Sequence, residues 1–201
     1  MKKVISALAL TVSAMTVAPA SQAQEVYRAV SSGPGEAVPV ASPGYSIATF
    51  DIAGNILTAD IPFSDLVSPT AAAHLHCCTT EPMAGTAGVA IDLFDFPLGV
   101  NSGTYSQSFD LLDPGIYSAA FLGAFGGTAA GASAAMLDAL SSNQVYLNIH
   151  TSQYPVGEIR GFLVNSAVAP IPEPATWGML GAGLAGLAIL SRRRPALVKQ
   201  A

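Results

Sequence analysis

Short segments that alternate apolar and polar residues recur through the middle of this 201-residue chain. The segment 45–52 carries Ala48, Phe50 and Ile52 at alternate positions, and the alternation resumes from 56 to 63 after the turn sequence Ala53-Gly54-Asn55. Because side chains on a strand point alternately to opposite faces, each segment has one apolar face. The two segments therefore predict a β-hairpin.

Five more segments carry strand patterns, and Gly or Pro turns separate them. They cover residues 72–77, 88–94, 104–111, 145–150 and 158–164. The last two lie on either side of the turn at 154–157, whereas the stretch 24–43 is predicted to be partly extended and loosely held. Strands at short intervals with turns between them are typical of a β-sandwich or barrel.

Two helical segments interrupt the strands. Asp113-Pro114 is a start signal, in which a capping residue precedes proline at the first helical position, and Gly126-Gly127 ends this run. Thr128 is predicted to cap a second helix. The predicted apolar face of the second helix consists of Ala132, Met136, Leu137 and Leu140. The predicted fold is all-β, a sandwich or barrel with one or two short crossover helices.

The N-terminal segment predicts export. Two lysines precede an apolar run from 4 to 17, and Ser21-Gln22-Ala23 places small residues where a signal peptidase reads them. We expect a secretory signal peptide over 1–23, cleaved after Ala23. The alternative is an uncleaved N-terminal anchor.

The C-terminal segment predicts a membrane tether. Pro172-Glu173-Pro174 precedes an apolar run from 175 to 190. As a helix this run extends about 24 Å, a little less than the roughly 30 Å of a bilayer core. The basic cluster that follows consists of Arg192, Arg193 and Arg194. These arginines favour the cytoplasmic side, so the transmembrane helix and basic tail of 175–201 would leave the body of the chain outside the membrane.

Together, the tripeptide, the apolar helix and the arginines resemble a PEP-CTERM sorting signal. In that family the signal is read by an exosortase, a membrane peptidase of Gram-negative bacteria that make exopolysaccharide. The resemblance implies an exported envelope, surface or extracellular protein, initially tethered to the inner membrane. The implied partners are an exosortase, the membrane, and exopolysaccharide or matrix components. The alternative is an ordinary single-pass anchor with Pro-Glu-Pro as a stiff spacer.

The charge of the body differs from that of the whole chain. Six of the eight basic residues lie in the two terminal segments, whereas all thirteen acidic residues lie between Glu25 and Glu173. The part from residue 24 to Glu173 thus holds two basic and thirteen acidic side chains, a net charge of −11, against −5 for the chain. Nucleic acid and anionic membrane surfaces are therefore poor partners.

Three blocks of the body resemble a chordin-type (CHRD) domain. They are 36–41, the His-Leu-His segment 72–76, and 146–161, which reads Asn-x-His-Thr and then Gly-Glu-Ile-Arg-Gly after a turn. The resemblance implies an all-β, immunoglobulin-like or dismutase-like domain over 24–164, found in secreted proteins and without implied enzymatic activity. A linker over 165–174 would join it to the tail.

The three histidines form the main candidate site. His74 and His76 share one face of a predicted strand, and His150 ends another strand. A His-x-His pair with a third histidine nearby is one way to present imidazoles to copper or zinc. We favour a structural role, with hydrogen-bonded histidines packed near Glu158 or Arg160. The alternative is a copper- or zinc-binding redox module.

Cys77 and Cys78 are the only cysteines. Export leads to an oxidising space, which favours disulfides. A bond between neighbours is strained, because adjacent Cα atoms lie about 3.8 Å apart whereas disulfides usually span roughly 4.4–6.8 Å. We favour this vicinal disulfide in a turn after the strand. Intermolecular disulfides, metal ligation and free thiols are the alternatives.

No catalytic set emerges from the sequence. Glu158 and Arg160 share a predicted strand face and are interpreted as a structural ion pair. A Gly-x-Ser-x-Gly elbow is absent from the sequence. We therefore predict a non-enzymatic cell-surface or extracellular-matrix protein without a cofactor, and metal binding by the histidines, with or without the cysteines, is the alternative.

Overall fold

A computed structural model describes residues 24–166, in which eight strands form one antiparallel sheet. The strands are β1 (Glu25–Ser32), β2 (Tyr45–Ala53), β3 (Ile56–Ser64), β4 (Thr70–His76), β5 (Val89–Asp92), β6 (Gly103–Asp110), β7 (Tyr146–Thr151) and β8 (Ile159–Asn165). Their order across the sheet is β5-β4-β7-β8-β1-β2-β3-β6. The prediction of an all-β fold is confirmed.

The predicted hairpin is formed by β2 and β3. Ala53 pairs with Ile56, and Gly54 takes a φ of 61° in the turn, a conformation that glycine adopts without steric cost. The alternating apolar residues of both strands point into the core. The buried set is Ala48, Phe50, Ile52, Leu57, Ala59, Ile61 and Phe63.

The sheet curls around this core, and the segment between β5 and β6 joins its two edge strands. Phe96, in the segment between β5 and β6, stacks on Phe63 of β3 with ring centroids 5.1 Å apart. It also contacts Tyr105 of β6 at 5.3 Å. The loop between the edge strands thus seals one side of the core with aromatic rings.

Helices α1 (Ala119–Ala124) and α2 (Ala129–Ser141) lie in the crossover from β6 to β7. The predicted cap of α2 is confirmed, because the Thr128 hydroxyl accepts a hydrogen bond from the Gly131 N–H. Ala132, Met136 and Leu140 are buried as predicted. Leu137 was wrongly assigned to that face and is 36% exposed.

Two other local predictions are corrected. The segment 24–43 is not loosely held at its start, because β1 lies between β2 and β8 and buries Tyr27 and Ala29. Asp113-Pro114 begins a short 3₁₀ turn, Pro114–Ile116, and α1 starts later with Ser118 as its cap. Asp113 accepts a bond from the Gly115 N–H in that turn, so the start signal acts on a shorter element.

The terminal predictions fall outside the described residues. They are the signal peptide with its cleavage after Ala23, the Pro172-Glu173-Pro174 motif, the transmembrane helix and the arginine cluster. Within residues 24–166, no helix has the length and apolar character to span a membrane.

Candidate metal centre

The three histidines meet where β4 and β7 lie side by side. Antiparallel pairing places Ala72 opposite His150, so His150 is diagonal to His74 on the neighbouring strand. His76 lies two residues further along the same face of β4. One ring nitrogen of each histidine lies within 4.8 Å of those of the other two.

Each imidazole has one nitrogen turned to an acceptor outside the cluster. The contacts join His74 Nε2 to Asp92 Oδ1 at 3.3 Å, His76 Nδ1 to Ala87 O at 3.0 Å, and His150 Nδ1 to Pro155 O at 3.1 Å. A carboxylate and two backbone carbonyls can only accept hydrogen bonds. The protons of neutral His76 and His150 are therefore directed away from the cluster, and the nearby Asp92 carboxylate favours the same arrangement for His74.

The nitrogens that remain face one another. His74 Nδ1 and His150 Nε2 are 3.0 Å apart, and His76 Nε2 is buried without a hydrogen-bond partner. The Asp92 carboxylate, 3.3 Å from His74 Nε2, favours the tautomer in which that nitrogen carries the His74 proton. In that tautomer no proton lies between His74 Nδ1 and His150 Nε2, and a cation can be coordinated by both nitrogens.

Burial keeps the three rings neutral. Desolvation lowers the pKa of His74, although the nearby Asp92 carboxylate opposes the shift. Desolvation also lowers the pKa of His76, and it lowers the pKa of His150 to about 4. Neutral imidazole is the form that coordinates a metal ion.

Two sequence-family models match the chain. The CHRD domain matches residues 16–163, and the PEP-CTERM protein-sorting motif matches residues 170–194. The chain belongs to the CHRD domain family. No curated protein and no solved structure matches it. The sorting motif indicates an exported envelope protein that an exosortase processes, with membrane association at its C-terminus, typically in a Gram-negative bacterium.

The lowered histidine pKa values predict how the stability of the metal-free CHRD domain depends on pH. Between about pH 4 and the ordinary histidine value of 6.5, His150 binds more protons in the unfolded chain than in the folded domain. The contribution of His150 to the free energy of unfolding is therefore expected to fall as the pH is lowered through this window. In urea denaturation at several pH values, His150→Gln should show a shallower fall.

The wild-type protein and His150→Gln must be compared with each other, because Glu36 also changes the stability over this pH range. Burial raises the pKa of Glu36 to about 7, so its contribution decreases stability as the pH rises from 4.5 towards 7. The wild-type protein and the His150→Gln variant both retain Glu36. The difference between their slopes of unfolding free energy against pH therefore comes from His150. Parallel slopes would contradict the assigned pKa shift.

The cysteines of the CHRD domain lie directly after β4 and are joined to each other by a disulfide bond. Both sulfurs are therefore occupied, and neither is available as a thiolate ligand in this state. The vicinal disulfide preferred from the sequence is the arrangement that the structure contains. The metal set proposed from the sequence accordingly reduces from five residues to His74, His76 and His150.

Glu158 does not form the ion pair expected from the sequence. It precedes β8, is fully buried, and accepts hydrogen bonds from three donors in other segments. These donors are Ser42 Oγ at 2.6 Å, the Val67 N–H at 2.6 Å and Thr151 Oγ1 at 2.7 Å. Through these bonds the Glu158 carboxylate connects the loops that contain Ser42 and Val67 to the end of β7.

Arg160 is occupied elsewhere. Its guanidinium donates to the Gly85 carbonyl and lies 3.8 Å from the centroid of the Tyr146 ring. Among residues 24–166, no arginine nitrogen lies within 4.0 Å of a carboxylate oxygen, and the one basic nitrogen at that distance belongs to the His74 ring beside Asp92. The predicted pairing failed because Glu158 lies before the regular alternation of β8 begins.

The groups that orient the imidazoles could not be predicted from the sequence. Asp92 belongs to a strand that pairs with β4, so only the His74–Asp92 register reveals its role. The acceptors for the other two histidines are the backbone carbonyls of Ala87 and Pro155, which carry no side-chain signal. The positions of those carbonyls next to the histidines depend on how the loops fold against the strands.

Proposed function

We propose that this exported CHRD domain protein binds one copper or zinc ion through His74, His76 and His150. The observation that supports it most strongly is the 3.0 Å approach of two imidazole nitrogens whose partner nitrogens already face acceptors. A proton could occupy this gap, but burial disfavours the charged imidazolium at neutral pH. A divalent ion coordinated by neutral nitrogens satisfies the same geometry.

The surroundings match what bound histidines require. A metal-ligating imidazole usually donates its other N–H to a carboxylate or backbone carbonyl, which fixes the ring orientation. His76 and His150 are hydrogen-bonded to such carbonyls, and His74 Nε2 lies 3.3 Å from the Asp92 carboxylate. With those protons placed, the ligand atoms are His74 Nδ1, His76 Nε2 and His150 Nε2.

The chemistry of the set favours particular ions. Three imidazoles suit copper and zinc, and Cu²⁺ binds nitrogen ligands more tightly than Zn²⁺ in the usual series. Oxygen-seeking ions such as Ca²⁺ and Mg²⁺ prefer carboxylate and carbonyl ligands. We therefore expect copper to bind most tightly, zinc next, and calcium weakly.

We also propose that the mature protein acts at the cell surface or in the extracellular matrix without catalysing a reaction. The sorting motif supports delivery there. Residues 24–166 carry two arginines and twelve acidic side chains, a net charge of −10, which suits a hydrated extracellular surface. Mass spectrometry of surface and matrix fractions tests this role, and recovery of the full-length chain from the inner membrane alone would contradict it.

A metal titration tests the binding proposal. The full chain, held in a mild detergent and freed of metal by a chelator, is titrated with Cu²⁺, Zn²⁺ and Ca²⁺ in separate experiments. We expect one Cu²⁺ or Zn²⁺ per chain and no saturable binding of Ca²⁺. Equal binding of all three ions would indicate the acidic surface instead.

Asp92→Ala is expected to weaken copper and zinc binding about 10- to 100-fold. The carboxylate orients His74 from 3.3 Å and does not itself belong to the proposed ligand set. Asp95→Ala is the matched control, because Asp95 is an exposed acid three positions further along the chain. If both variants lowered affinity equally, the effect would come from surface charge and not from the orientation of His74.

A further inference from the structure

The two edges of the sheet differ in how they are covered. At one edge, the crossover segment lies against β5, because Ile91 pairs with Tyr117 in an isolated bridge. The next residue, Ser118, donates its N–H to the Ala90 carbonyl. At the other edge, β6 pairs with β3 on one side and with no strand of residues 24–166 on the other. An edge strand of eight residues is therefore open.

The hydrogen bonds show which backbone groups of β6 point outward. In an antiparallel pair, the N–H and C=O groups of successive residues point to opposite sides. The Leu111 N–H donates to the Asn55 carbonyl, so the odd-numbered residues of β6 bond towards β3 and the even-numbered residues face away. Two observations agree with this assignment. The Asp110 carbonyl accepts a bond from the turn that follows, and Thr104 lies opposite Pro62, which has no N–H to donate.

Thr104, Ser106 and Ser108 form the outward set. All three residues are exposed. No other backbone group of residues 24–166 is hydrogen-bonded to their outward N–H and C=O groups. The set therefore presents three donors and three acceptors in one row. Such a row is a template for the addition of another strand.

Strand β6 lacks the features that keep an edge strand apart from other chains. Those features are charged side chains, proline and bulges. Residues 103–109 contain neither a charged side chain nor a proline, and their pairing with β3 has no register shift. The rest of the described domain is strongly acidic, with twelve acidic side chains and two arginines over residues 24–166. The uncharged edge is therefore a place where a second acidic molecule meets little local repulsion.

The side chains of the edge fit a second copy of the same edge. A twofold axis at Ser106 would bring Ser106 opposite its counterpart and Thr104 opposite Ser108. This register pairs every group of the outward set and places hydroxyls opposite hydroxyls, which is a favourable cross-strand arrangement. The same kind of contact already occurs within the sheet, where Thr58 Oγ1 lies 2.9 Å from Ser108 Oγ. Asp110 does not face a second Asp110 in this register.

We infer that two copies of this protein associate edge to edge through β6, so that one sheet continues across both domains. A contact limited to one strand edge belongs to the small interfaces, below about 1,200 Å², that are typical of weak and transient complexes. The dimer is therefore reversible. Added salt strengthens it, because screening reduces the repulsion between two acidic domains. The histidine strands β4 and β7 lie towards the other edge, so the inference is independent of the metal proposal.

Sedimentation of the metal-free full chain in mild detergent tests the inference across a range of protein concentrations. We expect a monomer–dimer equilibrium that shifts to the dimer as the protein or salt concentration rises. Ser106→Asp should abolish the dimer, because it places two carboxylates directly opposite each other at the axis. Ser152→Asp is the matched control, the same substitution at an exposed serine after β7, and should leave the dimer intact.

Cysteine cross-linking tests the register. Opposed residues that exchange backbone hydrogen bonds have Cα atoms about 5.5 Å apart, within the roughly 4.4–6.8 Å that disulfides span. Ser106→Cys should therefore give a disulfide-linked dimer under mild oxidation. Gln107→Cys, at the next exposed residue, is the control and should cross-link far less, because the two copies of position 107 lie on opposite sides of the axis along the strands.

Three results would overturn the inference. The first is a monomer at every protein and salt concentration, and the second is a dimer that survives in folded Ser106→Asp, which would place the contact elsewhere in the chain. The third is equal cross-linking of Ser106→Cys and Gln107→Cys. Thermal unfolding establishes that each variant is folded. If Ser106→Asp does not fold, the comparison of the two cysteine variants decides.

Discussion

His150→Ala is expected to weaken copper and zinc binding by more than about 100-fold, a larger loss than removal of an orienting partner causes. The substitution removes the one ligand that β7 contributes and leaves two imidazoles on β4. Two nitrogens on a single strand cannot enclose an ion from both sides. Competition titration against a chelator of known affinity measures the change.

Ser152→Ala is the control for His150→Ala. Ser152 is an exposed residue two positions along the chain, and it carries no ring nitrogen. Its substitution should leave metal affinity unchanged. His74→Ala provides a second ligand deletion from the other strand and should produce a loss of similar size. If folded His150→Ala retained full metal affinity, the proposed three-histidine site would be contradicted.

Glu158→Ala is expected to lower the free energy of unfolding by about 3–5 kcal/mol. The carboxylate is fully buried and accepts three hydrogen bonds of 2.6–2.7 Å. Alanine leaves the Val67 N–H and two hydroxyls without their acceptor, and it also opens space where the side chain packed. Urea denaturation of the metal-free protein measures the loss.

The control is Glu81→Ala, which removes an exposed carboxylate. A surface substitution of this kind should change stability by no more than about 0.5 kcal/mol. Glu158→Gln should fall between the two, because the amide oxygen still accepts but the amide nitrogen faces donors. A loss below about 1 kcal/mol for Glu158→Ala would show that the three bonds add little to the fold.

Much of the sheet could be predicted because its strands alternate clearly. The β2–β3 hairpin combines two apolar faces with a Gly turn, and both signals are local. Strand β1 escaped prediction because it presents few large apolar side chains, chiefly Tyr27, on its buried face. Its position is set by hydrogen bonding to β2 and β8, and β8 is distant in the sequence.

Part of the candidate site could be predicted from the sequence for the same reason. Period-two alternation is enough to place His74 and His76 on one face. Bringing His150 to them requires that β4 pair with β7, and these strands are separated by two other strands and two helices in the chain. Local pattern does not specify that pairing, so the cluster remained an alternative at the level of sequence.

Side-chain partners were the least predictable feature. Glu158 and Arg160 are two positions apart, which suggested mutual pairing. Each instead meets groups that long connections bring close, such as the Val67 N–H and the Gly85 carbonyl. Spacing along one strand predicts which side chains share a face, but it does not predict competing partners from loops.

X-ray absorption spectroscopy at the metal edge tests the central claim most directly. The full chain is loaded with one equivalent of Zn²⁺ or Cu²⁺, and the spectrum reports the number and type of ligand atoms. We predict three imidazole nitrogens at about 2.0–2.1 Å and no sulfur ligand. A shell made only of oxygen atoms, or the same spectrum from His150→Ala, would contradict the three-histidine metal site.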